Sequence, residues 1–166
     1  MNILVIGGAG FIGSNLIKTL SKQKHKITCI DNYSAGKTSN HVKGVNYIKE
    51  CSSNLEKIEY LLSDIELVYY LGEYSRIAPS FDEIDRVWNY NIIGTFKILE
   101  FCRKNHLKIV YAGSSTKFAS EGISHSPYSF SKAQNIELIK AYSKWYGLKY
   151  SICYFYNVFG PGHDRS

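Results

Sequence analysis

The sequence has no apolar segment that approaches the roughly 20 residues of a membrane-spanning helix. Its apolar residues 2–6 run directly into glycines, with neither a basic leader nor a cleavage site. We therefore expect a cytoplasmic protein with no membrane partner. A chain of 166 residues that is 45% hydrophobic and 20% charged excludes disorder, collagen and coiled coil. Such a chain buries roughly 70% of the surface that its unfolded form exposes, so one domain is expected.

Cysteine is scarce, and the four cysteines lie far apart, at Cys29, Cys51, Cys102 and Cys153. They form no Cys-x-x-Cys pair, and no His-x-x-x-His pattern lies near them. Disulfide frameworks and zinc sites depend on such spacings. We therefore predict reduced thiols and no bound metal.

Concentrated positive charge is also missing, although the formal net charge is +6. The basic residues are scattered along the chain and do not form one run with interleaved aromatic residues, which would be typical of nucleic-acid binding. A diffuse positive field equally suits a phosphorylated small molecule. We predict no nucleic-acid partner.

Short apolar runs alternate with longer amphipathic stretches along the whole chain. The runs predict strands at residues 2–7, 26–31, 45–48, 67–71, 108–112 and 150–156. Apolar residues at helical spacing predict helices that begin near Ser14 and that span residues 82–104 and 127–146. Ser126, Pro127 and Gly147 suit the N-cap, first turn and C-cap of the last helix. The alternation predicts an α/β fold with a doubly wound parallel sheet.

A glycine-rich turn follows the first predicted strand. Gly7, Gly10 and Gly13 have the spacing of a dinucleotide fingerprint, and Phe11 and Ile12 lie within it. Such glycines form a tight turn, let a pyrophosphate approach backbone N–H groups at a helix N-terminus, and allow close helix–strand packing.

Asp31 follows Gly13 by 18 residues and ends the second predicted strand. A carboxylate there can accept hydrogen bonds from ribose hydroxyls and would repel a 2′-phosphate, which favours NAD over NADP. The alternative is a purely structural glycine turn with a capping aspartate. The order of strand, glycines, helix, strand and acid argues against that alternative.

Tyr128 and Lys132 are four residues apart at the start of the helix predicted over residues 127–146, and so share one face. A lysine ammonium one turn away favours a phenolate, which is the form that acts as a general base. Ser114 follows the fifth predicted strand, where a hydroxyl can reach a substrate oxygen. A surface Tyr–Lys pair and a serine-rich turn are the alternatives, and the upstream dinucleotide motif argues against them.

These motifs together resemble the extended short-chain dehydrogenase/reductases, which have a Rossmann-type fold, and specifically their nucleotide-sugar epimerase/dehydratase branch. The resemblance covers nearly the whole chain and includes residues 7–13, 31–37, 91–95, 114, 128, 132 and 157–162. It implies that Ser114 is the catalytic hydroxyl, that Tyr128 is the general base, and that Lys132 binds the nicotinamide ribose of NAD. It also implies cofactor contacts from Asn32, Leu71 and Gly72.

The sequence departs from the family pattern at several positions. Ser115 and Thr116 stand where dehydratases have an Asp-Glu pair and decarboxylases a glutamate, which argues against both reactions. Cys51 replaces an adenine-binding aspartate, and Tyr70-Leu71-Gly72-Glu73 replaces His-Leu-Ala-Ala. Glu73 should lie near the cofactor. The pattern is most similar to the UDP-glucose 4-epimerase subgroup.

The resemblance therefore implies epimerisation at C4 of a nucleotide-linked hexose, of the UDP-glucose/UDP-galactose type, through a 4-keto intermediate. The alternatives are a 4,6-dehydratase or oxidoreductase, and a catalytically silent NAD-binding module. Because the family completes its substrate pocket with a C-terminal region, we expect residues 1–166 to be the NAD-binding domain of a longer enzyme, with a genuinely short variant as the alternative. A homodimer is expected through residues 82–104 and 127–146. Asn91 is expected to be a solvated polar residue, the alternative being that it holds an active-site water. Arg76 is expected to be an exposed loop residue, the alternative being that it contacts a phosphate.

Overall fold

The computed structural model describes residues 1–118 and 123–163. Six strands form its sheet: β1 (Asn2–Ile6), β2 (Lys26–Asp31), β3 (Asn46–Lys49), β4 (Leu67–Tyr70), β5 (Lys108–Ser114) and β6 (Tyr150–Phe155). All neighbours pair in parallel, in the order β3-β2-β1-β4-β5-β6. This is the strand order of a Rossmann fold, so the predicted doubly wound parallel sheet is confirmed.

Within residues 1–118 and 123–163, four α-helices connect the strands: α1 (Phe11–Lys22), α2 (Ile84–Val87), α3 (Gly94–Lys104) and α4 (Pro127–Tyr146). A π-helical segment, Trp88–Ile93, joins α2 to α3. Short 3₁₀ turns lie at Thr38–Asn40, Ser52–Lys57, Glu59–Leu61, Ala78–Phe81, Ser115–Phe118 and Ile123–His125. Among the described residues, no helix is both long and apolar enough to cross a membrane.

Alternate residues of β1, one of the two central strands, pack on opposite faces of the sheet, as the two-residue period of a strand requires. Ile3 and Val5 pack with Ile17 and Leu20 of α1. Leu4 and Ile6 belong to the larger core on the other face, with Ile98, Leu99, Ile136 and Ile139 from α3 and α4. Both faces are covered by helices, which explains why the strands are apolar without alternation.

Four predicted strands, those at residues 2–7, 45–48, 67–71 and 150–156, differ from the structure by one residue at one or both ends, and three other predictions were wrong by more than that. The first helix begins at Phe11, before Ser14, because Gly10 is already its N-cap. Residues 82–104 are not one regular α-helix, since the π-helical segment interrupts them. Strand β5 continues to Ser114 because it pairs with β6 as far as Phe155, so Ser114 ends the strand itself.

Candidate active site

The glycine turn after β1 is packed tightly at two of its three motif positions. Gly7 has a φ of +81°, and a Cβ on it would lie 2.6 Å from the Cα of Gly72. A Cβ on Gly13 would lie 2.2 Å from the carbonyl oxygen of Gly7. Around Gly10 the nearest atom to an added Cβ is the Gly7 oxygen, at 3.4 Å. The described residues therefore leave room beside Gly10, where the N-terminal turn of α1 presents N–H groups.

Asp31 ends β2 beside this turn and is almost fully buried. Its Oδ2 accepts a hydrogen bond from the Ala9 backbone N–H at 2.8 Å, and its Oδ1 accepts one from Tyr33 N–H at 2.8 Å. The two backbone donors fix the carboxylate next to the glycine turn. A charged group so oriented can take a ribose hydroxyl on its remaining lone pairs.

Leu71 and Gly72 follow β4 and complete the same edge of the sheet. The Leu71 N–H donates to Ile6 O at 2.9 Å, and Gly72 contacts Gly7. Asn32 lies one residue beyond Asp31, and its Nδ2 is 3.9 Å from the Cys51 Sγ. The structure therefore brings these predicted cofactor residues to the carboxyl ends of β1, β2 and β4, where ligands bind in doubly wound sheets.

The three predicted catalytic residues lie on two neighbouring elements. Ser114 is buried at the end of β5, and its Oγ accepts hydrogen bonds from Thr116 N–H at 3.3 Å and Thr116 Oγ1 at 3.0 Å. Tyr128 is half-buried in the first turn of α4, and its N–H donates to Ser80 Oγ at 3.4 Å. Lys132 follows one turn later and is buried. In the part of the chain that the structure describes, no hydrogen bond joins Tyr128 to Ser114 or Lys132.

Lys132 forms a buried ion pair with Glu73. Their side chains are 7% and 4% exposed, and the ammonium group bonds both the Glu73 carboxylate and the Ala112 carbonyl oxygen. The Lys132 ammonium also lies 4.6 Å from the ring centre of Tyr111. Glu73 was expected to lie near the cofactor, and the structure shows that its carboxylate contacts Lys132.

Neutral donors from three elements satisfy the rest of the Glu73 carboxylate. They are Tyr111 OH at 2.8 and 3.0 Å, Thr95 Oγ1 at 2.6 Å and Asn135 Nδ2 at 2.8 Å. Burial and the neighbouring Glu73 charge raise the pKa of Tyr111 well above its usual value. The Tyr111 phenol therefore stays protonated and donates to the carboxylate.

Asn91 is fully buried, so the expectation of a solvated side chain was wrong. Its Oδ1 accepts from Tyr74 N–H at 2.7 Å, and its Nδ2 donates to Tyr74 O at 3.2 Å and to Ser131 Oγ at 2.9 Å. The π-helical segment that contains Asn91 turns the amide inward, and the amide ties the loop after β4 to α4. A π-segment often marks a functional site. Arg76 is exposed, as expected.

Cys51 lies where the adenine end of the dinucleotide is expected. The Ser53 hydroxyl donates to its Sγ at 3.1 Å, and the Asn32 and Asn89 amides lie at 3.9 and 4.0 Å. Within residues 1–118 and 123–163, no group of three or more His, Cys, Asp or Glu side chains is placed to hold a metal ion.

Comparison with known proteins gives a family and several relatives. A family profile described as "NAD dependent epimerase/dehydratase family" matches residues 3–166. A protein of Methanocaldococcus jannaschii named "Putative UDP-glucose 4-epimerase" is 31% identical over 98% of this chain and 57% of its own length. Proteins named as UDP-glucuronic acid decarboxylase and dTDP-glucose 4,6-dehydratase also match, at 25% and 24% identity.

Two solved structures, one with UDP-glucose and one with NAD, have the same fold as this chain. The UDP-glucose 4-epimerase of Thermotoga maritima, solved with UDP-glucose, has a TM-score of 0.91 and 29% identity, and covers 99% of this chain and 58% of its own. The Thermus thermophilus enzyme, solved with NAD, has a TM-score of 0.89 and 28% identity, with coverage of 100% and 58%. The chain spans a little over half the length of these relatives.

Proposed function

The chain belongs to the NAD-dependent epimerase/dehydratase family, and from that premise we propose that it inverts C4 of a nucleotide-linked hexose. The substrates are UDP-glucose and UDP-galactose or their N-acetylated pair, and the reaction passes through a 4-keto sugar. The observation that supports epimerisation over the family's other reactions is the turn after β5. Ser114 is followed there by Ser115 and Thr116, and the Thr116 hydroxyl bonds Ser114. An acid that could eliminate water is missing from that turn.

Among the residues that the structure describes, the carboxylate beside Lys132 is Glu73, and it is not free to replace that acid. Glu73 is held by Lys132 and by three neutral donors, and its side chain is 4% exposed. Both oxygens of this carboxylate already accept hydrogen bonds from the protein, so its lone pairs are engaged. This supports epimerisation, since inversion through a ketone needs one base and no separate acid for elimination.

The cleft at the carboxyl ends of the strands fits NAD. The space beside Gly10 and the N–H groups of the turn at Phe11 and Ile12 suit the pyrophosphate, with Gly7 and Gly13 keeping the turn close to the sheet. Asp31 suits the adenosine ribose, with Asn32 beside it, and Lys132 the nicotinamide ribose. Leu71 and Gly72 would line the floor. Bound NAD supplies an acceptor and donor of hydride.

The residues on β5 and α4 supply the proton chemistry. Tyr128 would take the proton of the C4 hydroxyl when the sugar is oxidised to the ketone, and would give it back when the ketone is reduced on its other face. Ser114 donates a hydrogen bond to the same oxygen, oriented by its own contacts with Thr116. Lys132 lies one helical turn from Tyr128 in α4 and would hold the nicotinamide ribose beside it.

We assign residues 1–166 as an NAD-binding domain, because the relatives are nearly twice as long and the cofactor motifs all lie here. We also propose a homodimer. Three apolar side chains are exposed close together in the sequence, just before α2, in α2 and at the start of the π-helical segment: Phe81, Ile84 and Trp88. The Trp88 ring stacks on Phe130 of α4, with an interplanar angle of 3°. A cytoplasmic location stays a prediction.

The proposal is tested by assaying the full-length gene product with UDP-glucose, UDP-galactose and the N-acetylated pair. We expect interconversion with no net accumulation of NADH, because hydride returns to the sugar in each cycle. A 4-keto-6-deoxy product would identify a dehydratase, and stoichiometric NADH an oxidoreductase. Bound dinucleotide with no conversion of any of these sugars would identify a silent NAD-binding module. Each of these three results contradicts the proposed reaction.

Asp31 provides a test of cofactor choice. In wild type we expect NAD to bind at least about tenfold more tightly than NADP, because the Asp31 charge repels a 2′-phosphate. Asp31→Ser should reduce that ratio towards one, as measured by titration with both dinucleotides. Asp64→Ser is the matched control, since Asp64 is an exposed carboxylate paired with Lys26 at the opposite end of the sheet. Equal affinities in wild type would refute the role of Asp31.

A further inference from the structure

Glu73 and Lys132 come from distant parts of the sequence and meet below the cofactor cleft. Glu73 follows β4 by three residues, and Lys132 lies in the second turn of α4. Both side chains are more than nine-tenths buried. A buried charge without a partner costs several kcal/mol, so each of the two groups stabilises the other in the buried site.

The lysine keeps only part of its hydrogen-bonding capacity. An ammonium group has three N–H donors, and here one bonds the Glu73 carboxylate and one the Ala112 carbonyl oxygen. The Tyr111 ring lies under the same nitrogen, at 4.6 Å. One N–H therefore remains for a ribose hydroxyl, and the position of the nitrogen is fixed before any ligand arrives.

The pair is electrically neutral as seen from the cleft. The other groups that bond Glu73 are the neutral side chains of Tyr111, Thr95 and Asn135. Tyr70, whose ring packs 6.0 Å from that of Tyr111, also stays protonated, because burial and then the Glu73 charge raise its pKa well above the usual value. Glu73 is thus the group that offsets the lysine charge.

We propose, on the premise of the NAD-binding function above, that Glu73 is a positioning residue that prevents the Lys132 charge from disfavouring oxidised nicotinamide relative to the reduced form. The oxidised ring is a cation and the reduced ring is neutral. An unbalanced Lys132 ammonium beside the nicotinamide ribose repels the cation, and Glu73 removes that repulsion. An epimerase begins each cycle with oxidised cofactor. The balance of the Lys132 and Glu73 charges therefore helps the enzyme to hold NAD⁺, the form of the cofactor that starts turnover.

The test compares binding constants and does not depend on turnover. The full-length gene product, freed of bound dinucleotide, is titrated at constant pH and salt with NADH by its fluorescence and with NAD⁺ by competition. In Glu73→Gln the ratio of the Kd for NAD⁺ to the Kd for NADH should rise by about threefold to tenfold, the effect of one charge several ångströms away at an effective dielectric constant of 20 to 40. Glutamine keeps the shape and two hydrogen-bonding groups of the side chain.

Two further variants separate charge from structure. Tyr111→Phe removes a hydrogen bond to Glu73 but no charge, so its ratio should stay within about twofold of wild type even if both affinities fall. The double variant Glu73→Gln with Lys132→Met removes both charges, folds without a buried unpaired ion, and should also return the ratio to the wild-type value.

The outcomes are distinct. A ratio unchanged in Glu73→Gln, or shifted equally in Tyr111→Phe, overturns the role of the Glu73 charge and leaves the proposed epimerase intact. If Glu73→Gln does not fold, the double variant alone decides. A ratio of the Kd for NAD⁺ to the Kd for NADH that differs from wild type by more than about threefold in the double variant also overturns the role of the Glu73 charge. A wild-type protein that binds neither dinucleotide refutes the proposed function and this inference together.

Discussion

Replacing Tyr128 with Phe is expected to lower turnover by about 100- to 10,000-fold, the usual contribution of a general acid/base group. The change removes one hydroxyl and keeps the ring, which is half-buried in the first turn of α4. The backbone N–H of residue 128 still donates to Ser80 Oγ, so the helix start should be unaltered. The affinity for NAD should therefore stay close to wild type. Rates are measured on the full-length gene product, and binding by dinucleotide titration.

Tyr146→Phe is the matched control for this variant. Tyr146 lies at the other end of the same helix and is exposed, with its ring against Tyr142. Its hydroxyl is remote from the carboxyl ends of the strands, so neither the rate nor the affinity should change. A Tyr128→Phe enzyme with the wild-type rate would exclude Tyr128 as the base. Equal losses of rate and NAD affinity would instead point to a structural role.

The elements of this fold could be predicted because their signals are local. Ser126 caps α4 through a hydrogen bond from Ser129 N–H to its own Oγ, at 3.1 Å, and Gly147 ends the helix with a φ of +70°. Both ends of the helix depend on residues only a few positions apart, so the residue types at those positions are enough to predict where the helix begins and ends. The apolar strands were equally visible, since helices cover both faces of the sheet.

The inner contacts of the site could not be predicted, because they join residues distant in sequence. Glu73 and Lys132 are separated by 59 residues, and Asn91 and Ser131 by 40. The sequence did show that Glu73 departs from the family pattern. It could not show which residue Glu73 contacts. Asn91 looked solvated because its segment was expected to be a regular amphipathic helix, whereas the π-helical turn directs the amide into the core.

The glycines of the turn also differ in ways that spacing alone did not show. All three fit one motif, yet an added Cβ meets backbone at Gly7 and Gly13 and only a 3.4 Å contact at Gly10. Gly7 and Gly13 are therefore required by the protein's own packing. Gly10 has an extended backbone, with a φ of −76°, that any residue can adopt. The space beside Gly10 is where a ligand would lie.

Gly13→Ala is accordingly expected to destabilise the protein by about 3 kcal/mol or more. The new Cβ would lie 2.2 Å from Gly7 O and 2.6 Å from Gly8 Cα, and these backbone atoms cannot rotate away as a side chain would. Helix propensity alone predicts the opposite sign, since alanine in a helix is favoured over glycine by about 1 kcal/mol. Urea or thermal unfolding of the variant therefore decides between packing and propensity, and NAD binding should be lost with the displaced turn.

Gly10→Ala should separate folding from binding. Its Cβ has space within the described residues, so the free energy of unfolding should change by no more than about 1 kcal/mol, the usual cost of alanine at an N-cap. The same Cβ would stand where the pyrophosphate must approach the N–H groups of α1, so the affinity for NAD should fall by at least about tenfold. A stable Gly10→Ala protein with wild-type NAD affinity would show that the dinucleotide does not cross this turn. A Gly13→Ala protein more stable than wild type would show that the turn relaxes around the added methyl group, and that its close packing against Gly7 is not required.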